Sequence, residues 1–186
     1  YADTYDAATA AQKRSVPLIT SAEIDAPYTQ VSIQDMYDFI IQDVKEAIEM
    51  GLPAQSMTAI HPNLGAAYAL LARVYLQMQN YSEALSYADL ALKQNDQLYD
   101  WNAFYEEHKA AIDDPDNYDK IATPMQYDYV ENYYLRFGEQ SVYDSYEKNI
   151  PVERAARFEE GDARFLSRWK LKVDNNDTYY KALESG

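Results

Sequence analysis

Residues 62–96, PNLGAAYALLARVYLQMQNYSEALSYADLALKQND, constrain this chain more than any other stretch. Apolar residues recur at helical spacing on both sides of Gln79-Asn80, which predicts two antiparallel helices joined there. Pro62 suits the first turn of the first helix. Asn80 suits the N-cap of the second, with Glu83 in capping-box register. Ala72, Ala84 and Ala88 carry almost no side chain, so the two backbones can approach closely while larger residues fill the space beside them. A unit of this kind holds a surface in place and performs no chemistry of its own.

The spacing follows the tetratricopeptide pattern W-x2-L-G-x2-Y…A-x3-F…P. Tyr68 stands at the Trp position, Leu71 at the Leu, Ala72 at the Gly and Tyr75 at the Tyr. Ala84, Ala88 and Ala91 follow, and Asp96 takes the place of the Pro. An earlier helix is predicted over residues 32–50, with Ser32 as N-cap and Asp35 completing an acidic capping box. Its expected apolar face is Ile33, Met36, Phe39, Ile40, Val44, Ala47 and Ile48; Gly51 and Pro53 end it. With Ala47 placed like Ala91, it reads as the second helix of a preceding repeat.

Outside these helices the signals are weaker. Residues 1–14 are compatible with a short Ala-rich helix, and residues 15–20 with extended chain, because Pro17 restricts Val16. Residues 101–105 suggest a short amphipathic turn, and residues 113–119 a polar loop around Pro115. Residues 118–146 read as mostly irregular, with a short strand or helix near 130–137. A helix is predicted from Pro151 to Glu160, ended by Gly161. Two strands, 164–173 and 178–183, flank a turn at Asp174–Asp177. The expected fold is mainly α: tetratricopeptide-like helix pairs forming an α-α superhelix scaffold, with irregular loops and a small β-hairpin. Residues 1–110 would be the scaffold; residues 111–186 would add aromatic-rich loops, a short helix and the hairpin to the same domain.

Charge and composition exclude several function classes. Sixteen basic residues face 31 acidic ones, a net charge of −15, which argues against binding nucleic acid or an anionic membrane surface. No apolar run approaches the ~18 residues a membrane-spanning helix needs. The chain has no cysteine, hence no disulfide and no Cys-based zinc site. It starts at Tyr1 without a Met and ends at Gly186, and so reads as a fragment. Catalysis has little support: there are two His, five Gly, no H-E-x-x-H and no G-x-S-x-G. Asp113, Asp114, Asp116 and Asp119 lack the spacing of a calcium loop. No catalytic residue, metal or cofactor is expected.

Tyrosine is the compositional oddity, with 19 Tyr against five Phe and two Trp. A phenol offers a flat apolar face and a hydroxyl, and is enriched on recognition surfaces. Sugar binding uses such faces beside polar groups. The candidate ligand residues are Tyr127, Tyr129, Tyr133, Tyr134, Tyr143 and Tyr146 as a group, with Trp101 next. The plainer reading is that some of these rings fill the space beneath their own loop. Trp169, in a strand, reads as a core or edge residue, and Asp162 beside Arg164 as a cap or ion pair.

Four segments in order resemble the SusD/RagB family, surface nutrient-binding lipoproteins of the Bacteroidetes outer membrane. Ser15-Val-Pro-Leu18 is similar to a Gly-Val-Pro-Leu segment, with Ser for Gly. Residues 31–53 resemble the family's first marked helix through Tyr37, Ile40, Asp43, Val44, Ala47, Leu52 and Pro53. Residues 66–88 resemble its helix pair through Leu70, Leu71, Ala72, Arg73, Tyr75, Leu76, Tyr81, Ala84 and Ala88. Gly161-Asp-Ala-Arg-Phe165 resembles its later D-x-R motif. The resemblance implies a non-catalytic protein at the cell surface, held to the outer membrane by a lipid anchor absent from this chain. It implies binding of an oligo- or polysaccharide or other nutrient, and partnership with a SusC-like TonB-dependent transporter. Family members are typically far longer. The alternative is a soluble adaptor whose helical groove holds a peptide; such arrays usually need three or more repeats.

Overall fold

The computed structural model describes residues 3–23, 25, 28–114, 121, 124–125, 127–135, 149–167, 169–174 and 177–182. The chain divides into two compact units, residues 1–96 with 133–135, and residues 97–132 with 136–186.

In the first unit the N-terminal residues form turns, not the expected Ala-rich helix. Ala10 bonds back to Asp6 and Lys13 to Thr9. The Asp6 carboxylate meanwhile takes the Ala8 N–H at 3.0 Å, a local bond that competes with helix propagation. Strands β1 (Arg14–Pro17) and β2 (Gln30–Ser32) then pair antiparallel, with an irregularity between the Arg14–Ser32 and Pro17–Gln30 pairs.

Helix α1 (Ile33–Glu49) begins as its sequence predicts. Ser32 Oγ accepts the Asp35 N–H at 3.0 Å, and Asp35 Oδ2 accepts the Ser32 N–H at 3.3 Å. Gly51, at φ 94°, follows its C-cap Met50. Its packing stripe is shifted from the predicted one. Ile33 is buried with Tyr5 and Ala10, and Tyr37 packs on that cluster. Ile41, Val44 and Ile48 pack on Leu71, Tyr75 and Ala84 of the next helices. Phe39 points out, 39% exposed.

Helices α2 (Leu64–Gln77) and α3 (Tyr81–Leu92) form the antiparallel pair. Asn63, not Pro62, caps α2: its side chain accepts the Ala66 N–H at 2.9 Å, so Pro62 stands outside the first turn. Gln79 takes φ 60° at the corner, a conformation commonly left to glycine after a helix. Gly65, Ala67, Ala84 and Ala91 are the buried small residues of the pair. Ala72 and Ala88 instead line an open groove of about 300 Å³ with Arg73, Leu76, Tyr81 and Leu85. Tyr75 and Tyr87 stack at 5.5 Å, with the Lys45 ammonium 5.7 and 6.0 Å from their centroids.

Residues 133–135 complete this unit. The Tyr133 ring lies on Gly65, where an added Cβ would sit 2.5 Å from Cδ1 and 2.8 Å from Cε1. Its hydroxyl is 3.0 Å from the Ala91 carbonyl oxygen and 2.5 Å from that of Asn95, at the C-terminal end of α3. Asn63 Nδ2 donates to the Tyr133 carbonyl at 3.0 Å, and the Leu135 N–H to the Ala59 carbonyl at 2.7 Å.

The second unit opens with α4 (Trp101–Ile112), three turns where the sequence suggested one. Asp100 caps it, accepting the Ala103 N–H at 2.9 Å, and Phe104 and Ile112 are buried. Strand β3 (Asn149–Pro151) leads into a single turn, α5 (Val152–Ala155), shorter than the predicted helix because after it the Arg157 and Phe158 N–H groups bond three residues back, to Arg154 and Ala155, as turns. A second single turn, α6 (Ala163–Leu166), replaces the start of the predicted first strand. Strands β4 (Trp169–Asp174) and β5 (Asp177–Ala182) make the expected hairpin, with Asp174 opposite Asp177. Strand β3 adds to β5, giving the antiparallel order β3-β5-β4. The fold is thus mainly helical with a small hairpin, as the sequence implied.

Candidate functional site

Four aromatic rings gather around the start of α4. Trp101 meets Tyr99 and Phe104 edge-on, at centroid distances of 5.1 and 5.6 Å. Tyr99 also packs on Tyr129 at 5.4 Å. Edge-to-face and tilted contacts of this kind fix ring orientation. Glu131 ties the group from below: one oxygen accepts the Tyr99 N–H at 2.9 Å and the Tyr129 hydroxyl at 2.8 Å. Burial raises the Tyr99 hydroxyl above its ordinary range, with the Glu107 and Asp100 charges adding to it.

Residues 99–102 form one wall of a cleft of about 380 Å³, and residues 159–164 the other. The second wall is shaped by Gly161 at φ 82°, a left-handed turn that suits glycine, and by Asp162, which caps α6. Asp162 accepts the Arg164 N–H at 2.9 Å and holds the Arg164 guanidinium in a two-pronged pair, 3.0 Å to Nε and 2.6 Å to Nη2. That bond is the main reason the Asp162 carboxyl lies below its ordinary range. The cleft therefore presents an indole, carboxylates and an amide, the mixture that grips a polyhydroxylated ligand.

The expected residues divide. Trp101 lines the cleft, half-buried. Tyr129 stands behind it with 9% of its surface exposed. Tyr127 is exposed in the same unit, and Tyr134 is exposed in the other. Tyr133 has its ring on Gly65 and its hydroxyl on the Ala91 and Asn95 carbonyls, and burial raises that hydroxyl above its ordinary range. Tyr143 and Tyr146 lie outside the described residues, as do Pro115, Asp116 and Asp119 of the acidic loop. Sequence reasoning missed Tyr99, Asp100, Asn102, Glu159 and Glu160. The available signal was Asp100 as an N-cap in the run Tyr99-Asp-Trp-Asn102. Among the described residues no three His, Cys, Asp or Glu side chains are grouped to hold a metal. No described helix is long and apolar enough to cross a membrane.

A SusD-like family described as "Starch-binding associating with outer membrane" matches residues 2–76. Over that stretch the chain is similar to the SusD-like family. No curated protein matches the chain. The SusD-like stretch takes in β1, β2, α1 and nearly all of α2, and stops before α3. The description is of a binding family associated with the outer membrane, not of an enzyme. The Trp101 cleft lies beyond the matched residues.

Proposed function

We propose that this protein captures glycan at the bacterial cell surface without transforming it, and passes it to a TonB-dependent outer-membrane transporter. The carrying observation is the Trp101 cleft in a chain whose scaffold is SusD-like. An aromatic face stacks on the C–H face of a sugar ring, while Asn102 and the flanking carboxylates take hydroxyls. Tyr127, exposed in the same unit as the cleft, is proposed as a further contact; Tyr134, exposed in the other unit, is proposed as a ligand residue in its own right, and Tyr143 and Tyr146 remain in the proposed group. The groove on α2 and α3, apolar but for Arg73, supports a protein partner such as the transporter. Attachment to the membrane is proposed to be through a lipid anchor.

Calorimetric titration with neutral oligosaccharides, starch fragments among them, tests the reading. Binding is expected with no new reducing ends, and Trp101→Ala should weaken it by about tenfold or more, as loss of an anchoring aromatic does. Circular dichroism of the variant controls for the rings that Trp101 supports. A protein that binds no glycan, or that cleaves one, would sink the proposal.

A further inference from the structure

We propose that the Trp101 cleft selects glycans by charge: it takes sugars bearing a free amino group ahead of neutral ones, and turns away uronates and sulfated sugars. This rests on the reading of the cleft as a glycan site. The lining carries four carboxylates, Asp100, Glu159, Glu160 and Asp162, against one guanidinium, Arg164. An anionic sugar needs a cation to replace its lost hydration. The described guanidinium contacts of Arg164 both go to Asp162, a matched fork that leaves the cleft without a cation committed to the ligand. Glu159 and Glu160 are exposed on the rim, where two carboxylates can meet an ammonium group. The Trp101 ring adds a second attraction, since an indole face favours a cation over a neutral group. A neutral sugar meets the same ring and the same hydroxyl acceptors but brings no charge of its own to pair with them.

The test uses three size-matched oligosaccharides, of glucosamine, glucose and galacturonate. They are titrated at about pH 6, where Glu carboxylates stay ionised. The glucosamine oligomer is expected to bind about fivefold tighter than the glucose oligomer, the galacturonate not measurably. Added salt should narrow the gap, since rim charges are screened. The double variant E159Q/E160Q should weaken the glucosamine oligomer more than the glucose oligomer and so cut the preference to about twofold. Trp101→Ala should weaken both oligomers. A preference that survives E159Q/E160Q would come from the acidity of the whole protein and overturns the proposal. Equal affinity for the glucose and glucosamine oligomers, or Trp101-dependent binding of galacturonate, overturns it while leaving the glycan site standing. Binding of none of the three defeats both readings. Capture of a lysine-rich peptide in preference to every sugar assigns the cleft to protein and overturns it too.

Discussion

Gly65 is fixed by space and not by backbone. It is helical, and the positive-φ glycines are elsewhere, at Gly51 and Gly161. What it admits is the Tyr133 ring, held from behind by the carbonyl of Ala91 in α3 and that of Asn95 just past it. Gly65→Ala should therefore destabilise the protein by about 1–3 kcal/mol, the usual cost of overpacking, even though alanine is the better helix former. Denaturant midpoints test this, and Gly65→Ala should cost less in a Tyr133→Ala background than in the native chain. An unshifted midpoint for Gly65→Ala would mean that the ring yields freely. Tyr133 is also where sequence reasoning was least informed. Its aromatic character was visible, but its partner was an unremarked glycine in the first turn of a helix, far away in the chain. A glycine there was the one available clue that something large had to be accommodated.

Among the elements, legibility followed local chemistry. The start of α1 could be read because Ser32 and Asp35 bond reciprocally within one turn, and its end because Gly51 supplies the left-handed residue. Ser32→Ala should cost about 1 kcal/mol, and hydrogen exchange at the Asp35 amide should quicken relative to the helix centre. Unchanged exchange there would show that the cap is replaceable. Helix α4 was underestimated because Glu106, Glu107 and Lys109 blur its apolar period; tertiary burial of Phe104 and Ile112 sustains it. The β4–β5 hairpin was legible since its strands are adjacent, whereas β3 reaches β5 across a long stretch of sequence and carries no local mark. Of the candidate site, Trp101 was foreseen as an aromatic, but not the cleft opposite it. That wall is made by the turn at Gly161 and the cap at Asp162, which a strand-like reading of the following residues obscured.

At the scale of the whole molecule, an excess of 15 negative charges opposes compaction. The described ion pairs, Lys13–Asp3, Lys109–Glu106 and Arg164–Asp162, each have at least one exposed partner and offset little of it. Moderate sodium chloride should accordingly raise the melting midpoint by roughly a few degrees, through screening. A midpoint that falls with salt would show that local pairs outweigh the overall repulsion. The scaffold unit is also discontinuous: the chain leaves it after residue 96 and returns only for residues 133–135. During synthesis, then, the helix pair emerges from the ribosome long before its last piece exists. Until Tyr133 arrives, the flank of Gly65 stands open to water, to chaperones and to proteases. Closing that loop carries an entropic cost that strictly local helix pairs avoid, so the final locking of the scaffold is expected to be its slowest folding event.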